Sequence, residues 1–102
     1  MASYLISFTI SAGSRNYNDV YQSLEEAVNK VASDTAWDET TSFFALDSDR
    51  STSDVADSIY FGSELLEGHD VLLVINTSKG EYRQRGAKYP NTLKARLGLT
   101  EV

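Results

Sequence analysis

Cysteine is absent from all 102 residues. That excludes disulfides, thiolate zinc ligands and a cysteine nucleophile. Histidine occurs once, as His69 in Gly68-His69-Asp70, so a pair of imidazoles cannot share a metal. A lone histidine just ahead of an apolar run reads as a turn residue. No nucleophile is marked out for a Ser-His-Asp arrangement. Proline occurs once, at Pro90, and the six glycines are scattered. There is therefore no phosphate-cradling loop, no dinucleotide fingerprint and no flexible linker. Without a linker, an internal repeat or a low-complexity stretch, residues 1–102 read as a single domain. Long apolar runs are missing too. The longest is Val71 to Ile75, far too short to cross a bilayer. The N-terminus shows no basic segment followed by an apolar stretch, so a signal peptide is not expected. A cytoplasmic protein with no membrane contact is the expectation, and no motif implies a cofactor.

What the chain does have is an ordinary globular composition, 41% hydrophobic and 24% charged, which allows a core and argues against disorder. The net charge of −6 argues against a surface that binds nucleic acid everywhere. The charge is unevenly spread. Met1 to Ser78 holds three basic and thirteen acidic residues, whereas Lys79 to Arg96 holds six basic and one acidic. Two readings of this basic end stand side by side. It pairs with acids of the body or of another subunit, or it forms a phosphate-binding patch.

The periodicity predicts the elements. Tyr4, Ile6, Phe8 and Ile10 alternate with Leu5, Ser7 and Thr9 along a first strand over about Ser3 to Ile10, the former set facing helices. Ser11 to Asn16 reads as a loop. A helix follows from about Tyr17 to Ala32, capped by Asn16 or Asn18, with Val20, Leu24, Ala27, Val28 and Val31 as its apolar stripe. Thr35-Ala36-Trp37 and Thr41 to Leu46 predict a β-hairpin, bent at Asp38-Glu39. A second helix starts near Ser53 or Asp54 and weakens at Gly62, with Val55, Ile59 and Leu66 inward. Val71 to Ile75 is apolar throughout, which predicts a central strand covered on both faces. Residues 76–80 form a turn into a brief edge strand over Glu81 to Arg85. Pro90 opens a last short helix, with Leu93 and Leu97 inward, and Gly98 ends it. The expected fold is thus α+β: a ferredoxin-like βαββαβ sandwich. It has an antiparallel sheet, two helices on one face, and a short extra C-terminal strand and helix. The other sheet face, rich in apolar and aromatic residues, predicts a homodimer packed through the sheets.

Several segments carry a likeness to a known family. They are Tyr4-Leu5-Ile6-Ser7-Phe8, the helix start Asn16-Tyr17, Thr41-Ser42-Phe43-Phe44-Ala45-Leu46, and Glu67-Gly68-His69-Asp70 running into Val71 to Ile75. Over about residues 3 to 85 the chain resembles the small ferredoxin-like proteins related to the CRISPR spacer-acquisition subunit Cas-two. The nearest likeness is to their SinR-like non-CRISPR relatives; ribonuclease toxins of the VapD type share the fold. The resemblance implies a homodimer and, from the CRISPR members, contact with duplex DNA through basic side chains. The nucleases among them are expected to use an aspartate at the end of the first strand, one from each subunit, around a metal. The matching residue here is Thr9, and a neutral hydroxyl is a poor magnesium ligand.

Other acids bear on metal binding. Asp47-Ser48-Asp49 resembles the start of a calcium loop, but counting from Asp47 the sixth and twelfth positions are Thr52 and Ser58, where glycine and glutamate are needed. The strongest candidate site is the basic cluster Lys79, Arg83, Arg85 and Lys88. Arg83 and Arg85 are two apart, so on a strand both point the same way. Tyr82 and Tyr89 lie among them and suit base stacking. The expected function is a non-catalytic homodimeric scaffold or interaction protein, with nucleic-acid contact through the basic segment as its sharper form. A distinct protein partner is a further reading. The alternative is a metal-dependent nuclease or toxin-like ribonuclease whose acids, Asp38, Glu39 and Asp47, have moved from the usual place.

Overall fold

The computed structural model describes residues 1–11, 13 and 15–102; the expected loop residues Ala12 and Ser14 lie outside the described residues. It is an α+β domain of three helices and a five-stranded mixed sheet, in the order β2-β1-β3-β4-β5. The first strand, β1, is Ala2–Thr9, and α1 is Tyr17–Val31. The Asn16 side chain caps α1 by accepting the backbone N–H groups of Asn18 and Asp19. All five residues of the predicted stripe, Val20, Leu24, Ala27, Val28 and Val31, are buried. The next strand, β2, is Phe43–Ser48, and α2 is Thr52–Phe61, capped by the Ser51 hydroxyl. Then come β3 (Val71–Asn76), β4 (Glu81–Arg85), α3 (Pro90–Leu97) and β5 (Thr100–Glu101).

Strand β1 pairs antiparallel with both β2 and β3, and β3 pairs antiparallel with β4. One sheet face takes α1 and α2. There Tyr4, Ile6 and Phe8 join Phe44, Leu46, Leu72 and Val74 in a core closed by Leu24, Val28, Val55 and Ile59. Phe8, Phe44 and Tyr21 stack on one another, with ring centroids 5.5–6.2 Å apart. At the opposite end the core turns polar. Asn76, 1% exposed, donates to the Tyr4 and Thr52 hydroxyl oxygens and accepts the N–H groups of Ser78 and Lys79. All four hydrogen-bonding positions of its amide are used, so its burial carries no unpaired donor or acceptor.

Five expectations are corrected. The hairpin partner Thr35-Ala36-Trp37 is reduced to one isolated antiparallel bridge, in which Trp37 and Ala45 exchange both backbone hydrogen bonds. The sheet is not purely antiparallel, since β5 adds to β4 in parallel. Strand β3 is central, yet only its even-numbered residues are fully buried; Val71, Leu73 and Ile75 are half-buried because their face is incompletely covered. Leu66 is 46% exposed and its neighbour Leu65 takes the inward place. Finally, α3 buries none of its side chains completely; Leu93 and Leu97 are half-buried. Among the described residues no helix is long and apolar enough to cross a membrane.

Candidate functional site

Strand parity places the basic cluster. Glu81, Arg83 and Arg85 point toward α2, and Tyr82 and Gln84 point the other way. The Thr52 hydroxyl of α2 donates to the Glu81 carboxylate at 2.8 Å. Arg83 and Arg85 both reach Asp57 of α2, at 3.2 and 3.3 Å to the same oxygen. The guanidinium of Arg85 also lies over the rings of Tyr60 and Phe61, 4.5 and 4.7 Å from their centroids. Two cations therefore share the Asp57 carboxylate, with the Glu81 carboxylate on the same side of the strand and Glu101 lining a hollow beside them. The Arg85 Nε is buried without a hydrogen-bond partner among the described residues.

The other two members stand apart from this pair. Lys79 lies in the β3–β4 turn, at one end of β4, and borders a cleft with Arg50, Ser51 and Ser78 near the start of α2. Lys88 lies past the opposite end of β4, its ammonium 5.5 Å from the centroid of the Tyr89 ring. The four cations thus form no single patch: Arg83 and Arg85 are together and docked, and the lysines flank them. Tyr82 is fully buried and cannot stack on a base. Its burial, then the charge of Glu101, pushes its phenol up from the ordinary value. Tyr89, 66% exposed, is free to stack.

At the end of β1, Thr9 is exposed on the sheet face away from α1. The carboxylate that does stand near this end comes from the last residue of the α2–β3 loop: Asp70 directly precedes Val71, the register partner of Thr9. Its side chain is fully buried and fully engaged. It receives both Arg15 guanidinium nitrogens, at 2.7 and 2.9 Å, and the N–H groups of Ser11 and Leu66, both at 2.8 Å. Arg15 is tied further to the backbone oxygens of Glu64 and Ser11. Burial alone would raise the Asp70 carboxyl. The Arg15 hydrogen bonds, the two amides and the attraction of the guanidinium outweigh it and hold the group below its ordinary value. A carboxylate so occupied is a clasp between the β1–α1 and α2–β3 loops rather than a metal ligand. The alternative acids do not assemble a site either. Asp47 accepts the Ser3 hydroxyl at 2.9 Å, and Glu39 accepts the Trp37 indole N–H. No group of three or more metal-ligating side chains occurs among the described residues.

The second sheet face is the remaining feature. Its cross-strand rows read Ala45, Leu5, Ile75, Tyr82 and Phe43, Ser7, Leu73, Gln84. Two hollows lie on it. Ser7, Thr9, Val71, Leu73 and Gln84 meet Lys88, Tyr89 and Leu93 in one, so α3 covers part of the β3–β4 half. Ser3, Leu5, Trp37, Ala45 and Asp47 line the other, to which α3 contributes nothing among the described residues. Trp37 is 43% exposed and meets Phe43 edge-on at 6.1 Å.

Sequence reasoning missed Asp57, Asp70 and Arg15. Two signals were available. Asp70 is the acid immediately before the most apolar segment, and Arg15 is a lone base in an otherwise neutral loop. Comparison with family models, curated proteins and solved structures finds no match to this chain.

Proposed function

We propose that this chain is a non-catalytic interaction module that pairs with a second copy through the open half of its second sheet face. The observation that carries the reading is the group of partly exposed apolar side chains Phe43, Ala45, Leu5 and Trp37, rimmed by Ser3, Asp34, Thr35 and Asp47, to which α3 contributes nothing among the described residues. A sheet face of this kind is normally covered, and an isologous sheet-to-sheet contact covers it with the same surface twice. A ferredoxin-like core of the Cas-two or SinR-like kind fits this proposal. If the Trp37–Ala45 bridge is taken as the remnant of a strand, bridge, β2, β1 and β3 follow in the order of a split βαβ sheet, all antiparallel, with α1 and α2 on one face.

The absence of catalysis rests on the end of β1, where Thr9 offers a hydroxyl and Asp70 is consumed by Arg15 and two amides. Nucleic-acid contact through Lys79, Arg83, Arg85 and Lys88 is the sharper form of the proposal. Its support is that Arg83 and Arg85 lie side by side and share a single oxygen of Asp57. A phosphate would have to replace Asp57 as their partner.

The test is the mass in solution. Light scattering at micromolar concentration should return twice the chain mass. Leu5→Glu places a carboxylate at the middle of the open surface. Because the two-fold repeats it on the partner, it should weaken the dimer by about a hundredfold while leaving far-ultraviolet circular dichroism unchanged. A wild-type chain that stays monomeric at roughly 100 μM would remove the proposal.

A further inference from the structure

The cleft between α3 and the sheet has a composition that the pairing surface does not explain. Its floor is Val71 and Leu73, and its wall is Leu93 with the ring of Tyr89. Ser7 and Thr9 place hydroxyls along one side. Gln84 also lines the cleft; its Oε1 accepts the Ala87 N–H at 3.0 Å, and its Nε2 has no hydrogen-bond partner among the described residues. One ionised side chain lines the cleft, Lys88, and no acid accompanies it among the described residues. The cleft measures about 300 Å³.

We infer that this cleft binds a small amphiphilic carboxylate, with its apolar body against Val71, Leu73 and Leu93 and its charge at the Lys88 ammonium. The chemistry selects this class step by step. An apolar floor favours a hydrocarbon or aromatic body. A single cation without a matching acid favours one negative charge and opposes a positive one. Lys88 lies beside the Tyr89 ring, which holds the ammonium close to the apolar wall rather than leaving it free to roam. The hydroxyls of Ser7 and Thr9 and the Gln84 amide can donate to a carboxylate that tilts inward. This site is separate from the pairing surface, since Trp37, Phe43, Ala45 and Leu5 do not line it among the described residues.

The probes are octanoate, octanol and acetate, titrated into the isotopically labelled full-length chain and followed by amide shifts in nuclear magnetic resonance. Octanoate should shift Thr9, Val71, Leu73, Gln84 and Leu93 saturably, and about fivefold more tightly than octanol, which lacks the charge. Acetate, which lacks the body, should not saturate. Lys88→Gln, an exposed substitution, should bring octanoate down to the octanol affinity, and Leu93→Trp should abolish both by filling the cleft. Equal binding of octanoate and octanol to the wild type would overturn the inference. So would octanoate shifts centred on Trp37 and Phe43, or the absence of saturation at the cleft amides. If Leu93→Trp perturbs folding, the Lys88→Gln comparison alone decides.

Discussion

Asp70→Ala should cost about 3 kcal/mol of folding stability, read as a lower urea midpoint at unchanged slope. The substitution removes the carboxylate that Arg15 pairs with directly, and it strands the N–H groups of Ser11 and Leu66. Arg15 keeps some access to water, which tempers the loss relative to a sealed ion pair. Because the clasp joins the loop after β1 to the loop before β3, its loss should loosen both loops together. The same residue sets an acid dependence. Its folded pKa lies below its ordinary value of 3.8, so its stabilising contribution is complete above that value. As pH falls below about 4 and through the folded value, the proton taken up by the unfolded chain erodes it. The wild-type and Asp70→Ala curves should therefore converge toward acid pH. A constant gap between them would show that the ionised carboxylate is not what the clasp depends on.

Gly86→Ala is the second large effect, expected at about 2–4 kcal/mol. Gly86 has φ +83°, where a side chain is strained whatever the space. A Cβ there would also lie 2.3 Å from the Asp70 carbonyl oxygen and 3.5 Å from the Val71 Cα. Both neighbours are backbone, so neither can swing aside. Gly68→Ala separates the two causes: its φ is +81°, but nothing stands within 4 Å of the methyl that alanine would add. It should cost only the left-handed backbone penalty, about 1 kcal/mol. Equal losses in the two variants would mean that the contact with Asp70 yields without cost.

The strands and helices were legible because each obeys one period. The stripe from Val20 to Val31 is helical and landed in the core without exception; of the alternating set Tyr4, Ile6, Phe8 and Ile10, the first three are buried and Ile10, just past β1, is partly buried. Local chemistry narrowed the cap of α1 to Asn16 or Asn18, of which the structure uses Asn16, and placed the end of α3 at Gly98. The face assignment of β3 failed for a physical reason. An unbroken apolar run says that a strand tolerates burial on both sides, not that the chain supplies the second cover. The basic cluster was legible as charge and as parity, since Arg83 and Arg85 do share a side. Their common partner was not, because Asp57 is one of thirteen acids in the first part of the chain and only the packing of α2 on β4 selects it. The Arg15–Asp70 clasp joins residues 55 apart in sequence, a distance over which no local pattern carries information.

The thin attachment of the C-terminal arm has an energetic corollary. Helix α3 buries no side chain fully, and β5 is a two-residue strand paired with one end of β4, with backbone hydrogen bonds from Thr100 to Gly80 and from Val102 to Tyr82 among those that hold it. Opening of this arm is therefore a low-lying excursion that leaves the rest of the sheet intact. Whatever settles against Leu93 and Tyr89 binds the closed arm and not the open one. Its free energy is thus spent on local order, and slowed amide exchange in residues 90–97 would report occupancy more sensitively than the global melting temperature.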